Sequence, residues 1–360
     1  MIACIAKNDR GRGVFARLRT LDARYHDLGF IEPDRGALWR GFLKSATPDL
    51  LQMKRDARVS PDFLNAVTAR CVAALDAVNE PIEALLYWGA TNIPVDANKH
   101  KFPYFVVTDG PFDPDDPTYP IEWKPQRWAK TYFEMQRELY RGAAHVFGLS
   151  QWAADKVADV HGVARERVSK CGWGPLGNYG PPTLDPPTGK KLFLSVGSEW
   201  RRKGMDVVSE AGAAIHAENP DVETIIAGVP VDLQLPARKG VHLLATHTPS
   251  AVVHSLMRQA TGFIIAARFD ASPHVIYEAL QYGTPVIGTR TCGVPEAIDE
   301  PNGGLVIEGP DASLLADAMR RLLAQDPKAL RQSAYNTYLQ AGDWQGCAER
   351  IHSVIQAALR

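Results

Sequence analysis

The chain lacks any run of about 18 apolar residues, the length that crosses a bilayer. Its opening Met-Ile-Ala-Cys-Ile-Ala reaches Lys7, Asn8 and Asp9 too soon for a secretory leader. Paired cysteines are absent too. Cys4, Cys71, Cys171, Cys292 and Cys347 are odd in number and widely scattered, which excludes a short-spaced metal or redox pair and reads as free thiols in a reducing compartment. An excess of one charge is also missing: the formal net charge of −1 excludes the basic footprint of a general nucleic-acid binder. The ten histidines form no His-x3-His or His-Cys pattern, so no catalytic zinc is expected. Neither a P-loop nor a Gly-x-Ser-x-Gly elbow occurs. These absences point to a cytoplasmic globular protein with no nucleic-acid partner.

What is present suits two domains: 360 residues, 45% apolar and 22% charged. Residues 1–60 hold twelve Lys and Arg against seven Asp and Glu, a local basic excess. Arg10, Arg12, Arg17, Arg19 and Arg24 accompany Phe15, Leu18 and Leu21, and Arg35, Arg40, Lys44, Lys54, Arg55 and Arg58 surround Trp39, Phe42 and Leu43. A basic amphipathic surface of this kind would suit an anionic membrane face. Apolar residues in the core with solvated arginines is the plainer reading.

The apolar run Met1–Ala6 leads into a polar turn with glycines, residues 7–13, and then a helical pattern with Val14, Phe15, Leu18 and Leu21 on one face. Further apolar runs at Ala84–Tyr87, Tyr104–Val107 and His145–Leu149 alternate with helical stretches, as in a doubly wound α/β domain. The Pro/Gly-rich residues 174–190 read as a linker. The rhythm then restarts at residues 191–197, with strands expected at Thr224–Ala227, Val241–Ala245, Gly262–Ala266, Pro285–Gly288 and Gly304–Ile307.

The densest signal is residues 268–288, Arg-Phe-Asp-Ala-Ser-Pro-His-Val-Ile-Tyr-Glu-Ala-Leu-Gln-Tyr-Gly-Thr-Pro-Val-Ile-Gly. Ser272 is expected as N-cap, Pro273 as first helical residue and Gly283 as terminator. The free amides of His274 and Val275 would then face an anion such as phosphate. Asp270 precedes that helix start and Glu278 follows it by eight residues. Upstream, Arg201, Arg202 and Lys203 sit in the turn after a strand, where cations can stabilise a diphosphate leaving group that other enzymes leave to a divalent metal.

Lysine-glycine after a strand, then acid-x7-Glu, Gly-Thr-Pro-Val, Gly-Val-Pro-Glu and Asn-Gly-Gly, resembles the C-terminal half of the retaining family-4 glycosyltransferases of GT-B fold. The likeness runs from about Leu192 to Leu323, with looser echoes at Gly11–Gly13, residues 149–154 and residues 162–174. It implies an α/β GT-B architecture of two Rossmann-like doubly wound domains facing across a cleft. Residues 1–175 would form the acceptor-side domain, 176–190 the linker and 191–340 the donor-side domain, with 341–360 a C-terminal helix packing back on the first. The resemblance implies transfer from a nucleoside-diphosphate sugar, UDP- or GDP-linked, with retention and with neither cofactor nor metal. The acceptor would be a sugar, a glycan or a lipid-linked molecule, with at most peripheral contact at the inner membrane face.

Carried onto matching positions, Lys203 would bind the diphosphate, Glu278 the ribose, and Asp270 would lie against the transferred sugar. Ala271, Ser272, His274 and Val275 would touch sugar and phosphate, Gly197, Arg201 and Arg202 would complete the donor loop, and Gly228 would lie near the base. Gly11, Arg12 and Gly13 would let backbone approach the diphosphate or acceptor, with Asp109 standing where the family often has histidine. Asp109 is one departure and two more are visible: Asp270 replaces the usual glutamate, and Ser198 the usual arginine after the strand glycine. They motivate one alternative, a GT-B-shaped binding or scaffold protein without turnover. A second alternative is a metal-dependent transferase using Asp113 and Asp115, whose Asp-x-Asp lies among Pro111, Pro114, Pro117 and Pro120 and otherwise reads as a solvated acidic turn.

Overall fold

Continuous apolar runs become strands buried on both faces, the signature of parallel sheets covered by helices. The computed structural model of the chain describes all residues except 7–8, 31–34, 46–49, 90–101, 121–123, 178–179, 232, 234–235 and 342, and leaves seven further side chains undescribed: residues 9, 10, 30, 35, 42, 51 and 55. It divides into two units, one of Met1–Gly172 with Trp344–Arg360, the other of Trp173–Asp343.

In the first unit β1 (Ile2–Ala6), β2 (Tyr25–Phe30), β3 (Ala84–Trp88), β4 (Tyr104–Thr108), β5 (His145–Gly148) and β6 (Val168–Lys170) form a parallel sheet ordered β2-β1-β3-β4-β5-β6. Every residue of β1, β3 and β4 is buried. The helices of this unit's Met1–Gly172 part are, among the described residues, α1 (Asp9–Leu21), α2 (Arg35–Leu43), α3 (Leu50–Arg58), α4 (Pro61–Asp76), α5 (Ala129–Gly142) and α6 (Gln151–Asp159). The stretch expected as a glycine turn therefore enters α1 at Asp9, and Gly11 and Gly13 lie inside the helix. The reason is close packing: a Cβ on Gly11 would stand 2.6 Å from Trp88 Cγ and 2.9 Å from Ala6 Cβ. Val14, Phe15 and Leu18 are core, as the helical spacing requires, whereas Leu21 is exposed.

The edge strands β2 and β6 escape sequence reading. Tyr-His-Asp-Leu-Gly-Phe and Val-Ser-Lys carry no apolar run, because an edge strand need not be covered on every side.

The Asp-x-Asp turn is only half solvated: Asp115 is exposed, whereas Asp113 is not. Asp113 and Asp116 are buried, and Lys156 Nζ lies 2.8 Å from a carboxylate oxygen of each. Asp113 also accepts the Asp115 amide at 3.0 Å. Burial alone would raise the Asp116 pKa, but hydrogen bonds from Lys156 and Thr118 outweigh it and hold the carboxyl below its ordinary range. The metal-site alternative of Asp113 with Asp115 is not favoured, since the Lys156 ammonium already neutralises Asp113.

In the second unit β7 (Lys191–Val196), β8 (Val222–Val229), β9 (Val241–Ala245), β10 (Gly262–Ile265), β11 (Val286–Thr289) and β12 (Gly304–Ile307) form a second parallel sheet, ordered β12-β11-β10-β7-β8-β9. Around it lie α7 (Met205–Glu218), α8 (Ser250–Gln259), α9 (His274–Leu280), α10 (Val294–Ile298), α11 (Ala312–Leu323) and α12 (Pro327–Ala341). Phe193, Ile226, Ile264 and Ile287 share its core. The strand order reverses between β7 and β10, the switch point where loops diverge and leave a crevice.

The chain passes between units at Gly172–Trp173, ahead of the expected linker at 176–190. Trp173 is buried with its ring 5.2 Å from that of Tyr277, and Gln281 Nε2 donates to the Gly177 carbonyl at 2.8 Å, so these residues are fastened to the second unit. After α12 the chain re-enters the first unit as α13 (Trp344–Ala358), which packs on α1; Trp344 meets Trp88 at 6.1 Å, and Tyr25 Oη lies 3.2 Å from His352 Nδ1.

Arg331 of α12 is buried with no carboxylate partner among the described residues. Its guanidinium donates to the carbonyls of Thr183 (2.6 Å), Ala260 (2.9 Å), Arg258 (2.9 Å) and Tyr282 (3.1 Å). Burial pushes its pKa down to about 10, which leaves it cationic at neutral pH. Three of those carbonyls close the C-terminal ends of α8 and α9, where a cation complements the helix dipole. Replacing it strands several buried acceptors, each costing about 1–3 kcal/mol. Arg331→Leu is therefore expected to lower stability by at least about 3 kcal/mol, read as a shifted urea midpoint.

Candidate functional site

The candidate site grows from the carboxyl ends of β7, β8 and β10. Gly197 follows β7 and donates its amide to the Ala227 carbonyl at 2.9 Å. Gly228 sits at an irregularity in β8 with φ 94°, and a Cβ there would stand 2.9 Å from the Gly197 carbonyl. Glycine at 228 thus lets two backbones meet, while a Cβ at Gly197 would stand 2.8 Å from the side chains of Lys203 and Met205. Gly204, with φ 69°, caps α7, and any side chain there would overlap the Ala266 carbonyl oxygen. Glycine at 204 thus lets the Lys203 turn rest directly on the segment after β10.

That contact explains the central pairing. Lys203 Nζ donates to Asp270 Oδ2, an ion pair whose side chains are only 17% and 12% exposed. The two residues are 67 apart in sequence, yet adjacent strands β7 and β10 deliver them to one place.

The neighbouring cations have other partners. Arg202 pairs with Glu199 and donates to the Phe269 carbonyl at 2.8 Å. Arg268 forms a two-point pair with Asp206, both contacts at 2.9 Å, and donates to the Arg201 carbonyl at 2.5 Å. For Asp206, burial is again outweighed, here by Arg268, and its pKa is lowered. The Arg201 side chain is exposed. Of the three expected cations, Lys203 is the one brought against the first acid of the motif. The Arg268–Asp206 pair escaped sequence reading, because nothing in the spacing of residues 206 and 268 marks them as partners.

Ser272 does not cap the helix. Pro273, at φ −73° and ψ 92°, takes the cap position without a side-chain bond, and α9 begins at His274. The extended proline moves the serine one residue too far back. Its Oγ is left buried with no hydrogen-bond partner among the described residues. His274 Nδ1 donates to the Gly174 carbonyl at 2.9 Å, since a carbonyl can only accept. Glu278 Oε1 accepts the Leu176 amide at 3.1 Å. Ala271 and Val275 are half-buried beside them. The loop after β11 closes in: Gly293 N reaches the Asp270 carbonyl at 3.3 Å, and Cys292 adopts φ 45°.

Gly11, Arg12, Gly13 and Asp109 belong to the first unit. Arg12 Nε pairs with Asp27 at 2.8 Å, and Asp109 is exposed just beyond β4. Its negative charge adds to burial in raising the pKa values of Tyr119, Tyr132 and Tyr140.

Residues 181–339 match the family model described as Glycosyl transferases group 1. A D-inositol 3-phosphate glycosyltransferase of Corynebacterium jeikeium (strain K411) is 32% identical over 117 residues, covering 32% of this chain and 28% of that protein. Lipopolysaccharide glucosyltransferase WaaG of Escherichia coli (strain K12) is 31% identical over 148 residues, 38% of each. The chain thus spans well under half the length of these curated relatives. A solved UDP-forming α,α-trehalose-phosphate synthase from Burkholderia vietnamiensis superposes with TM-score 0.68 at 13% identity, covering 99% of this chain and 100% of that one. The chain has the GT-B fold, two Rossmann-like units each built on a six-stranded parallel sheet, and its second unit carries the group 1 likeness.

Lys203→Ala and Glu278→Ala are each expected to reduce sugar transfer at least about 100-fold, the scale of losing a charge-stabilising group. Circular dichroism and melting should show both variants folded. Near wild-type turnover in either would remove that residue from the site.

Proposed function

We propose that the protein is a retaining glycosyltransferase that moves a hexosyl group from a nucleoside-diphosphate sugar to an acceptor hydroxyl. The observation that carries this reading is the convergence of Lys203 and Asp270 beside the Gly197–Gly228 backbone contact, with the unpartnered Ser272 hydroxyl two residues from Asp270. Lys203 would balance the donor diphosphate, aided by the amides that begin α9. Glu278 would hold the ribose and Asp270 the sugar hydroxyls. The sugar–phosphate bond breaks as the acceptor oxygen joins the same face of the sugar carbon, and the acceptor proton passes to the departing phosphate oxygen. The protein's part is positioning and charge stabilisation.

Leaving-group charge in this reading is met by Lys203 and the exposed Arg201 without a divalent ion. The donor nucleotide in this reading is UDP or GDP. A UDP-forming neighbour and relatives named for inositol phosphate and lipopolysaccharide favour a UDP sugar and a sugar, glycan or lipid-linked acceptor. A thermal-shift series with UDP-, GDP-, ADP- and dTDP-sugars should single out one base, since a ligand of the folded state raises its melting temperature. Transfer from that donor is expected to survive excess EDTA. Donor binding with neither transfer nor hydrolysis would favour the scaffold reading, and activity lost to EDTA and restored by Mn²⁺ would overturn metal independence.

We also infer a peripheral contact with anionic lipid at the inner membrane face. No helix among the described residues is long and apolar enough to cross a membrane. Val14, Phe15 and Leu18 of α1 are core, but Trp39 and Leu43, one turn apart on α2, are 60% and 63% exposed, as is Leu50 at 63%. Arg40, Lys44, Lys54 and Arg58 are exposed around them, with Lys44 paired to Asp62; the side chains of Arg10, Arg35, Phe42 and Arg55 lie outside the described residues. Each cation near an anionic surface contributes about 1 kcal/mol. The protein should therefore sediment with anionic vesicles at low salt and be released at high salt. Equal sedimentation with neutral vesicles would leave a water-soluble acceptor as the better reading.

A further inference from the structure

Resting on the donor-site reading above, we propose that Asp270 acts as a discharge device that favours release of the nucleoside diphosphate product over the intact nucleotide sugar. The Lys203 ammonium is neutralised by Asp270 in a setting where either charge alone would be costly. Two neighbouring arginines do not relieve the carboxylate, because Arg202 is engaged by Glu199 and Arg268 by Asp206. Nor is the carboxylate's backbone free to withdraw. The Asp270 carbonyl accepts the Gly293 amide, the preceding Phe269 carbonyl accepts Arg202, and the Arg268 carbonyl accepts Thr291 Oγ1 at 3.2 Å.

A diphosphate that takes Lys203 as its counter-ion must therefore share the site with a fixed carboxylate. In the nucleotide sugar, the sugar hydroxyls can stand between the two negative groups and donate hydrogen bonds to Asp270. Transfer removes the sugar and leaves a terminal phosphate with about one additional negative charge at neutral pH. The product then faces Asp270 without an intervening donor, and like-charge repulsion weakens its hold on Lys203. The same lysine–carboxylate pair that re-forms on departure offsets the loss of the ligand.

Calorimetric titration of wild type, Asp270→Asn, Asp270→Ser and Lys203→Ala decides this, using UDP, GDP and ADP and the corresponding sugar nucleotides. Both Asp270 variants should bind the recognised nucleoside diphosphate about 10-fold more tightly, with a smaller gain or a loss for its sugar nucleotide; Lys203→Ala should weaken both ligands. Unchanged or weaker diphosphate binding in both folded Asp270 variants, with Lys203→Ala still impaired, overturns the discharge role and leaves the donor site standing. Lys203→Ala binding both ligands as wild type overturns the donor-site reading, and this inference falls with it.

Discussion

A parallel sheet covered by helices on both faces leaves polar chemistry nowhere to go except the strand ends. Both units obey this constraint. In the second it determines which residues meet, because β7 and β10 are neighbours while their following helices diverge. Lys203 and Asp270 come together for that reason. Glycines 197, 204 and 228 let the backbone carry them into contact.

The turn around Lys203 is stabilised by charges that cancel in pairs. Glu199 holds Arg202 within the turn, while Asp206 with Arg268, and Arg202 with the Phe269 carbonyl, join residues 199–206 to the segment after β10. Partly buried and geometrically matched, these pairs do more than exposed ones, which contribute little to stability. They fix the loop so that its lysine faces the acid of the motif. A run of three cations thus divides into a structural arginine, an exposed arginine and the lysine of the pair.

Sequence reading recovered the elements whose physics is local. Central strands such as Ala84–Trp88 and Gly262–Ile265 announce themselves because double-sided burial demands continuous apolar residues. The edge strands β2 and β6 have no such demand and went unseen. Gly11 and Gly13 were read as a turn because glycine usually breaks helices, whereas at Gly11 the deciding factor is a tryptophan 77 positions later. The pairing of Asp113 and Asp116 is not legible in the sequence because Lys156, their partner, lies on a helix that spacing alone cannot bring near. Ser272 and Pro273 matched the capping pattern but lie one residue early, since the proline remains extended. Lys203, Asp270 and Glu278 were legible through their motif, yet their hydrogen-bond partners were not.

The interrupted first unit has a consequence for the order in which the molecule can be completed. All six of its strands are made by Lys170, but α13, which packs against α1 and Trp88, is translated only after the whole second unit. During synthesis, the second unit can close its core on a contiguous stretch of chain. The first must keep part of the α1 surface and one tryptophan face without their final cover until residues 344–358 emerge. The domain begun first is therefore the domain finished last, and chaperone dependence or premature proteolysis would fall on that unit.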